Sequence, residues 1–207
     1  LEYRGYDSSG VSIIGVDGGM KTVRAEGRIV NLEKKIKQHS DIDGCIGIAH
    51  TRWATHGMPS ENNSHPHRDC SGKISIVHNG IIENHEDLRS VLISTGHSFD
   101  SDTDSEVIAH MIENFIDQGH SFVESFHKTL FHLRGTYGVV AVSKSENKII
   151  GARMGSPLVV GVGVNEYLIA SDITAIVKHT KDVIYLDDGE VVLIDGGDIA
   201  IETIDRL

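Results

Sequence analysis

Apolar and polar positions divide the chain into a β-rich opening, a helical middle and a β-rich close. Val11 to Val16 reads as a strand, and Asp17-Gly18-Gly19 is a strong turn signal before a second strand around Thr22 to Ala25. Ile29, Leu32 and Ile36 recur at helical spacing on a lysine-rich segment. Cys45 to His50 is an apolar run that predicts a buried strand; a polar loop follows from His56 to Gly72, then a strand from Lys73 to His78. Asn84 to Ile93 predicts a helix stopped by Gly96. A longer helix is expected from about Asp104, with Val107, Ile108, Met111 and Phe115 on one apolar face, and another from Phe122 to about Leu133. From Tyr137 the pattern turns to β: Val139 to Val142, Ile149 to Arg153, Leu158 to Val162, Tyr167 to Ala170, and Val183 to Ile194 around an Asp187-Asp188-Gly189 turn. Ile173 to Lys178 is expected to form a short helix between strands. Strands and helices in blocks favour an α+β arrangement over a regular alternation, and with no internal repeat or linker one domain over residues 1–207 is expected.

Composition narrows the function. With 207 residues, 39% hydrophobic and 24% charged, the chain has ample material for a core. A formal charge of −11 argues against nucleic acid or an anionic membrane as partner, because either would repel it. No apolar run approaches the length that spans a bilayer. Cys45 and Cys70 are too few for a disulfide framework and suit a reducing cytoplasm. The opening Leu1-Glu2-Tyr3-Arg4-Gly5-Tyr6-Asp7 has no initiator methionine and no secretory segment; it reads as the middle of something, a fragment or a processed chain.

Thr51-Arg52-Trp53-Ala54-Thr55-His56-Gly57 holds the densest chemistry. A guanidinium delivered by a strand into a loop can clamp a carboxylate through two parallel hydrogen bonds, although Arg52 alone would also suit a surface salt bridge, and Trp53 a core gap. Asn79-Gly80 after a strand is a hairpin signal. The following Ile81 to Glu86 does not alternate as a return strand should. The other reading gives the Asn79 amide and the Gly80 N–H to an oxyanion hole at the strand's end, and both readings stand. Thr103-Asp104-Ser105-Glu106 fits a capping box that places Asp104 in the first turn, where an ionised carboxylate could meet a substrate ammonium. Arg52 and Asp104 together would hold the two ends of an α-amino acid. Histidines crowd one third of the chain (His50, His56, His65, His67, His78, His85), yet no spacing makes a metal signature and no metal is expected. Cys70 lies in the polar loop with no matched partner.

These elements, in this order, resemble the glutaminase domains of type 2 glutamine amidotransferases, and among them those of the isomerising glutamine–fructose-6-phosphate aminotransferases. The resemblance rests on Leu1-Glu2-Tyr3-Arg4-Gly5-Tyr6-Asp7-Ser8, Ala49 to Gly57, His65-Pro66-His67, His78 to Asn84, Ser101 to Glu106, Ser156-Pro157-Leu158 and Ala170-Ser171-Asp172, and spans essentially the whole chain. It implies a four-layer αββα sandwich of the N-terminal-nucleophile hydrolase type. Arg52 would take the glutamine α-carboxylate and Asp104 its amine; Asn79 and Gly80 would form the oxyanion hole. Trp53, Thr55, His56 and Gly57 would line the pocket, with His65 on a nearby loop and Arg4 and Gly5 supporting the catalytic terminus. No cofactor is implied; the implied partners are L-glutamine and C-terminal isomerase domains in a homo-oligomeric full-length protein. Family members begin with a nucleophilic cysteine whose own α-amine serves as base. This chain starts later, lacking by that comparison one strand and most of a helix, roughly twenty residues, so it is expected to be inactive alone. Cys45 heads a run that imitates the missing start but is internal. A different type 2 amidotransferase, or a non-enzymatic histidine-rich metal-binding domain, are the alternatives.

Overall fold

A computed structural model describes residues 6–38, 42–53 and 57–204. The chain opens with β1 (Ser8–Ile14), β2 (Met20–Glu26), α1 (Ile29–Lys37) and β3 (Ile46–Arg52). The two-residue β4 (His67–Arg68) and the long β5 (Ile74–Ile82) lead into the helices α2 (His85–Ser94), α3 (Glu106–Asp117) and α4 (Phe122–His132). The close is β: β6 (Gly135–Ser143), β7 (Lys148–Met154), β8 (Val159–Val162), β9 (Tyr167–Ala170), a 3-10 turn at Ile173–Ala175, β10 (Val183–Tyr185), β11 (Glu190–Asp195) and β12 (Asp198–Thr203).

Among the described residues the strands form three antiparallel sheets. A six-stranded sheet has the order β12-β11-β7-β6-β5-β4, and two three-stranded sheets have the orders β2-β1-β3 and β10-β8-β9. Side chains of β6 show why the sheets stack. Val139 and Ala141 enter one core with α3 and α4, while Val140 and Val142 enter a second core with Ile14, Ile48 and Val160. Successive strand residues point to opposite faces, so a fully apolar run such as this one must be covered on both. Helices therefore cover one face of the large sheet and the two small sheets cover the other. On the far side Leu32 of α1 packs with Val23 and Ala25, completing the αββα order.

Phe122 and Phe126 of α4 are fully buried against the large sheet, each contributing roughly 1.5–3 kcal/mol by leaving water. Between the sheets Ser12 Oγ of β1 is paired, lying 2.6 Å from Thr22 Oγ1 and 2.8 Å from Ser75 Oγ of β5. No helix of the described residues is long and apolar enough to cross a membrane.

Several expectations need correction. β5 does not end at His78: it runs through Asn79 and Gly80 to Ile82, paired all the way to β6, so the partners that Asn79-Gly80 lacked locally are Gly138 and Tyr137, far along the chain. The two arms expected over Val183–Ile194 around the Asp187-Asp188-Gly189 turn are both strands but do not pair with each other: they lie in different sheets, β10 on β8 and β11 on β7. Thr103 and Glu106 form no capping box; α3 starts at Glu106 with Ser105 at its N-cap, and Asp104 sits just before the helix. The box is instead at α4, where Ser121 Oγ accepts the Glu124 N–H and Glu124 accepts the Ser121 N–H. β4 and β12 had no clear signal.

Candidate functional site

A cavity of about 590 Å³ opens between the two small sheets, over the face of the large sheet that both cover. Its walls are two strand edges, Gly47 to Trp53 along β3 and Tyr167 to Ser171 along β9, and its floor includes Val77, Asn79, Gly138 and Val140.

Arg52, the last residue of β3, is buried on this wall. Its Nη2 donates to the Gly57 carbonyl at 3.0 Å and its Nη1 lies 3.7 Å from Asp7 Oδ1. Burial lowers the guanidinium pKa, and the charges of Asp7 and Asp104 oppose that; starting from so high a value, the group stays cationic. Asp104, buried on the same cavity, accepts the Ile82 N–H at 2.8 Å, which ties the loop before α3 to the end of β5.

That loop is braced from several directions. Glu106 accepts the N–H groups of Asp100 and Ser101 at 2.9 and 2.8 Å and the Ser101 hydroxyl at 2.6 Å. Despite burial, these bonds and His110 hold its carboxyl down to about 2. Asn63 takes the Asp102 N–H at 2.9 Å and donates to the Met58 carbonyl at 2.8 Å, joining the loop after Gly57 to the loop before α3. Arg89 donates to the Ser101 carbonyl at 2.9 Å.

Asn79 lines the cavity from β5, with its Oδ1 2.9 Å from His50 Nε2 on β3. Burial drives the His50 pKa to about 4, so the ring is neutral near pH 7, and with its proton on Nε2 it donates to Asn79. The amide NH2 is then the end of Asn79 left for a ligand. Gly80 has φ +129, and a Cβ there would sit 2.1 Å from the Thr136 carbonyl oxygen. Only glycine lets β5 and β6 approach so closely at this point.

Behind the Arg52 wall, histidines cluster. The rings of His50 and His65 are 4.2 Å apart, and those of His65 and His67 are 4.5 Å apart. Burial depresses all three pKa values, that of His67 to about 3 and that of His65 well below the usual range. Gly10 makes room: a Cβ on it would lie 2.2 Å from the His65 carbonyl. On the helical side, His78 Nδ1 lies 2.8 Å from Ser105 Oγ, and burial lowers its pKa too.

The structure thus gathers Arg52, Trp53, His65, Asn79, Gly80 and Asp104 on one cavity. Gly57 does not line it but holds Arg52 through its carbonyl. Trp53 is 70% exposed, so it fills no core gap. Arg4, Gly5, Thr55 and His56 lie outside the described residues. Sequence reasoning missed the braces: His50 on Asn79, Asn63 between two loops, and Glu106 as an anchor for main-chain N–H groups. Only Glu106 carried a signal, and it was assigned to a cap. Neither cysteine lines the cavity. Among the described residues one group of metal-ligand side chains converges, and it holds Cys70, His97, His110 and Glu113.

Residues 50–178 match the family model described as a glutamine amidotransferase domain. The chain is 50% identical over 197 residues to the isomerising glutamine–fructose-6-phosphate aminotransferase of Methanothermobacter thermautotrophicus, covering 95% of this chain and 33% of that protein. It is 44% identical to the Chlorobaculum tepidum protein of the same name, covering 100% of this chain and 34% of that one. The chain therefore spans about a third of the length of these curated relatives. Among solved structures it is similar to the glutamine phosphoribosylpyrophosphate amidotransferase of B. subtilis, with TM-score 0.79 and 24% identity over 100% of this chain and 45% of that one. An allosteric regulatory enzyme of purine biosynthesis superposes with TM-score 0.82 at 25% identity, again over 100% and 45% of the two chains. The four-layer N-terminal-nucleophile hydrolase fold expected from the sequence is the fold observed.

Proposed function

The chain belongs to the glutamine amidotransferase family, and from that premise we propose that it is the glutaminase module of a glutamine–fructose-6-phosphate aminotransferase. In that role it would release ammonia from L-glutamine for transfer to fructose 6-phosphate, giving glucosamine 6-phosphate for hexosamine synthesis. The observation that carries the reading is that a buried guanidinium, Arg52, and a buried carboxyl side chain, Asp104, line the same cavity as Asn79 and Gly80. A guanidinium fork suits the α-carboxylate of glutamine, and a carboxylate suits its ammonium. The free end of the Asn79 amide and the Gly80 N–H would then serve as donors to the δ-carbonyl oxygen as it becomes an oxyanion.

The nucleophile in this reading is an N-terminal cysteine on an extended segment lying along the groove between β3 and β9. β3 and β9 are each the edge strand of its sheet and both line that groove, which is where an added strand could pair. The cysteine's α-amine would accept its thiol proton, the thiolate would add to the δ-carbonyl, and collapse would expel ammonia and leave a thioester for water to cleave. Trp53, exposed at the rim, would face the domain that receives the ammonia. Isomerase domains, a homo-oligomeric assembly and a cytoplasmic location belong to the same proposal. The curated relatives at 44% and 50% identity favour it over a phosphoribosylamine-forming enzyme, whose solved B. subtilis example shares 24%.

Calorimetry with glutamine tests the clamp: Arg52→Ala should weaken binding by roughly 10- to 100-fold, since a hydrogen bond to a charged group is worth about 1.5–3 kcal/mol. Equal affinity of variant and parent would refute it.

A further inference from the structure

We propose that Cys70, His97, His110 and Glu113 bind one divalent cation of the zinc type. The four come from three separate segments. Cys70 lies in the turn between β4 and β5, His97 follows the left-handed Gly96 beyond α2, and His110 and Glu113 stand one turn apart on α3. One donor atom from each lies within 4.8 Å of all the others. Cys70 Sγ is 3.6 Å from His110 Nδ1 and 3.8 Å from His97 Nδ1. Glu113 Oε2 is 2.9 Å from His97 Nδ1 and 3.4 Å from His110 Nδ1. Tetrahedral zinc, with bonds of about 2.0–2.3 Å, sets its ligand atoms roughly 3.3–3.6 Å apart.

The outer hydrogen bonds aim the lone pairs inward. His110 turns Nε2 toward Glu106 Oε1 at 3.5 Å, and Glu106 is itself fixed by Asp100 and Ser101. This is the carboxylate–histidine arrangement that keeps the proton on the far nitrogen and frees Nδ1 for a metal. Cys70 Sγ accepts the Ser98 N–H at 3.4 Å. Glu113 accepts the N–H groups of Cys70 and Ser71 at 3.0 and 2.9 Å.

A simple hydrogen-bonded network accounts for less. It would explain the short His97–Glu113 contact, but charge-assisted bonds run about 2.7–2.9 Å, and His110 stands 3.4 Å from Glu113. Cys70 Sγ has weaker claims elsewhere, 3.8 Å from both the Ser98 carbonyl and its hydroxyl, while its shortest contact with a side-chain nitrogen is the 3.6 Å to His110 Nδ1. One thiolate, two imidazoles and one carboxylate form a borderline-soft tetrahedral set that suits zinc over magnesium or calcium. Thiolate and carboxylate together neutralise a divalent charge. Four protein ligands leave no open position, so the ion would be structural. It would fasten the β4–β5 turn and the end of the α2 segment to α3, and through Glu106 the loop that carries Asp104. Cys70 is exposed, which gives the ion a way in.

Reduced chain, stripped with chelator and dialysed against zinc, should retain one equivalent and melt at a higher temperature than the stripped protein. Cobalt in place of zinc should give intense tetrahedral ligand-field bands and a thiolate-to-metal charge-transfer band. Cys70→Ser should abolish the charge-transfer band. His97→Gln should weaken binding at least ~10-fold, and Glu106→Gln roughly 10- to 100-fold. Failure of the parent chain to take up zinc or cobalt would overturn the proposal, and so would a charge-transfer band that survives in Cys70→Ser. The decisive spectrum is that of the parent chain, so misfolding of a variant cannot rescue the idea.

Discussion

Acidification from pH 7 to pH 5 should cost the fold about 2 kcal/mol through His67 alone. His67 is buried, meets His65 edge-on, and has Thr103 Oγ1 3.1 Å from its Nε2. Burial is the main cause that pulls its pKa from 6.5 to about 3; Arg24, His50 and Arg52 pull the same way, and Glu106 opposes them. A depressed histidine pKa means that the folded state binds fewer protons than the unfolded one. Stability is then complete above about pH 6.5 and is lost as pH falls toward about 3. At pH 5 the unfolded chain holds the proton and the native one does not, a penalty of about 2 kcal/mol; at pH 7 it is roughly 0.2 kcal/mol. The measurement is urea unfolding of parent and His67→Gln at both pH values. With a slope of about 1–3 kcal/mol per molar urea, the parent midpoint should fall by roughly 1 M more than the variant's. His110, whose pKa the Glu106 and Glu113 contacts raise against burial, contributes with the opposite sign. Its contribution is present in both proteins and cancels in the difference. Equal acid losses in parent and variant would show that His67 is not held neutral.

Gly80→Ala should destabilise the chain by about 3 kcal/mol or more, because the new Cβ meets the Thr136 oxygen at a backbone conformation that alanine avoids; denaturant titration with a near-parental midpoint would contradict this. Asn63→Ala should cost about 1–3 kcal/mol, since it leaves the Asp102 N–H and the Met58 carbonyl without their partner. Amide exchange at Asp102 should quicken with it, and unchanged protection there would disprove the brace.

Local physics made the strands of β1, β6 and β7, the helices and the Asp17-Gly18-Gly19 turn legible, because each buries a periodic face or closes a tight turn within a few residues. The candidate site was legible in its charged and amide groups, Arg52, Asp104, Asn79 and Gly80, which carry motif-level signals. Long-range relations were not. That Asn79-Gly80 continues a strand depends on β6, far along the chain. Glu106 was read as a cap because its spacing from Thr103 permits it, yet the loop folds back and takes both carboxylate oxygens for its own N–H groups. Cys70 found partners only when α2 and α3 folded beside its turn, since His97 and His110 stand 27 and 40 residues away.

The edges that border the cavity differ from the others. β2 carries Lys21, Arg24 and Glu26, and β12 carries Asp198 and Glu202, charges that discourage a further strand from pairing there. β10 is only three residues long. β3 instead offers Gly47 and Ala49, both exposed, and β9 reads Tyr167-Leu168-Ile169-Ala170 with no charge at all. Handled by itself at high concentration, the chain should therefore aggregate through these two edges, and a short extended peptide that occupies them should act as its solubiliser.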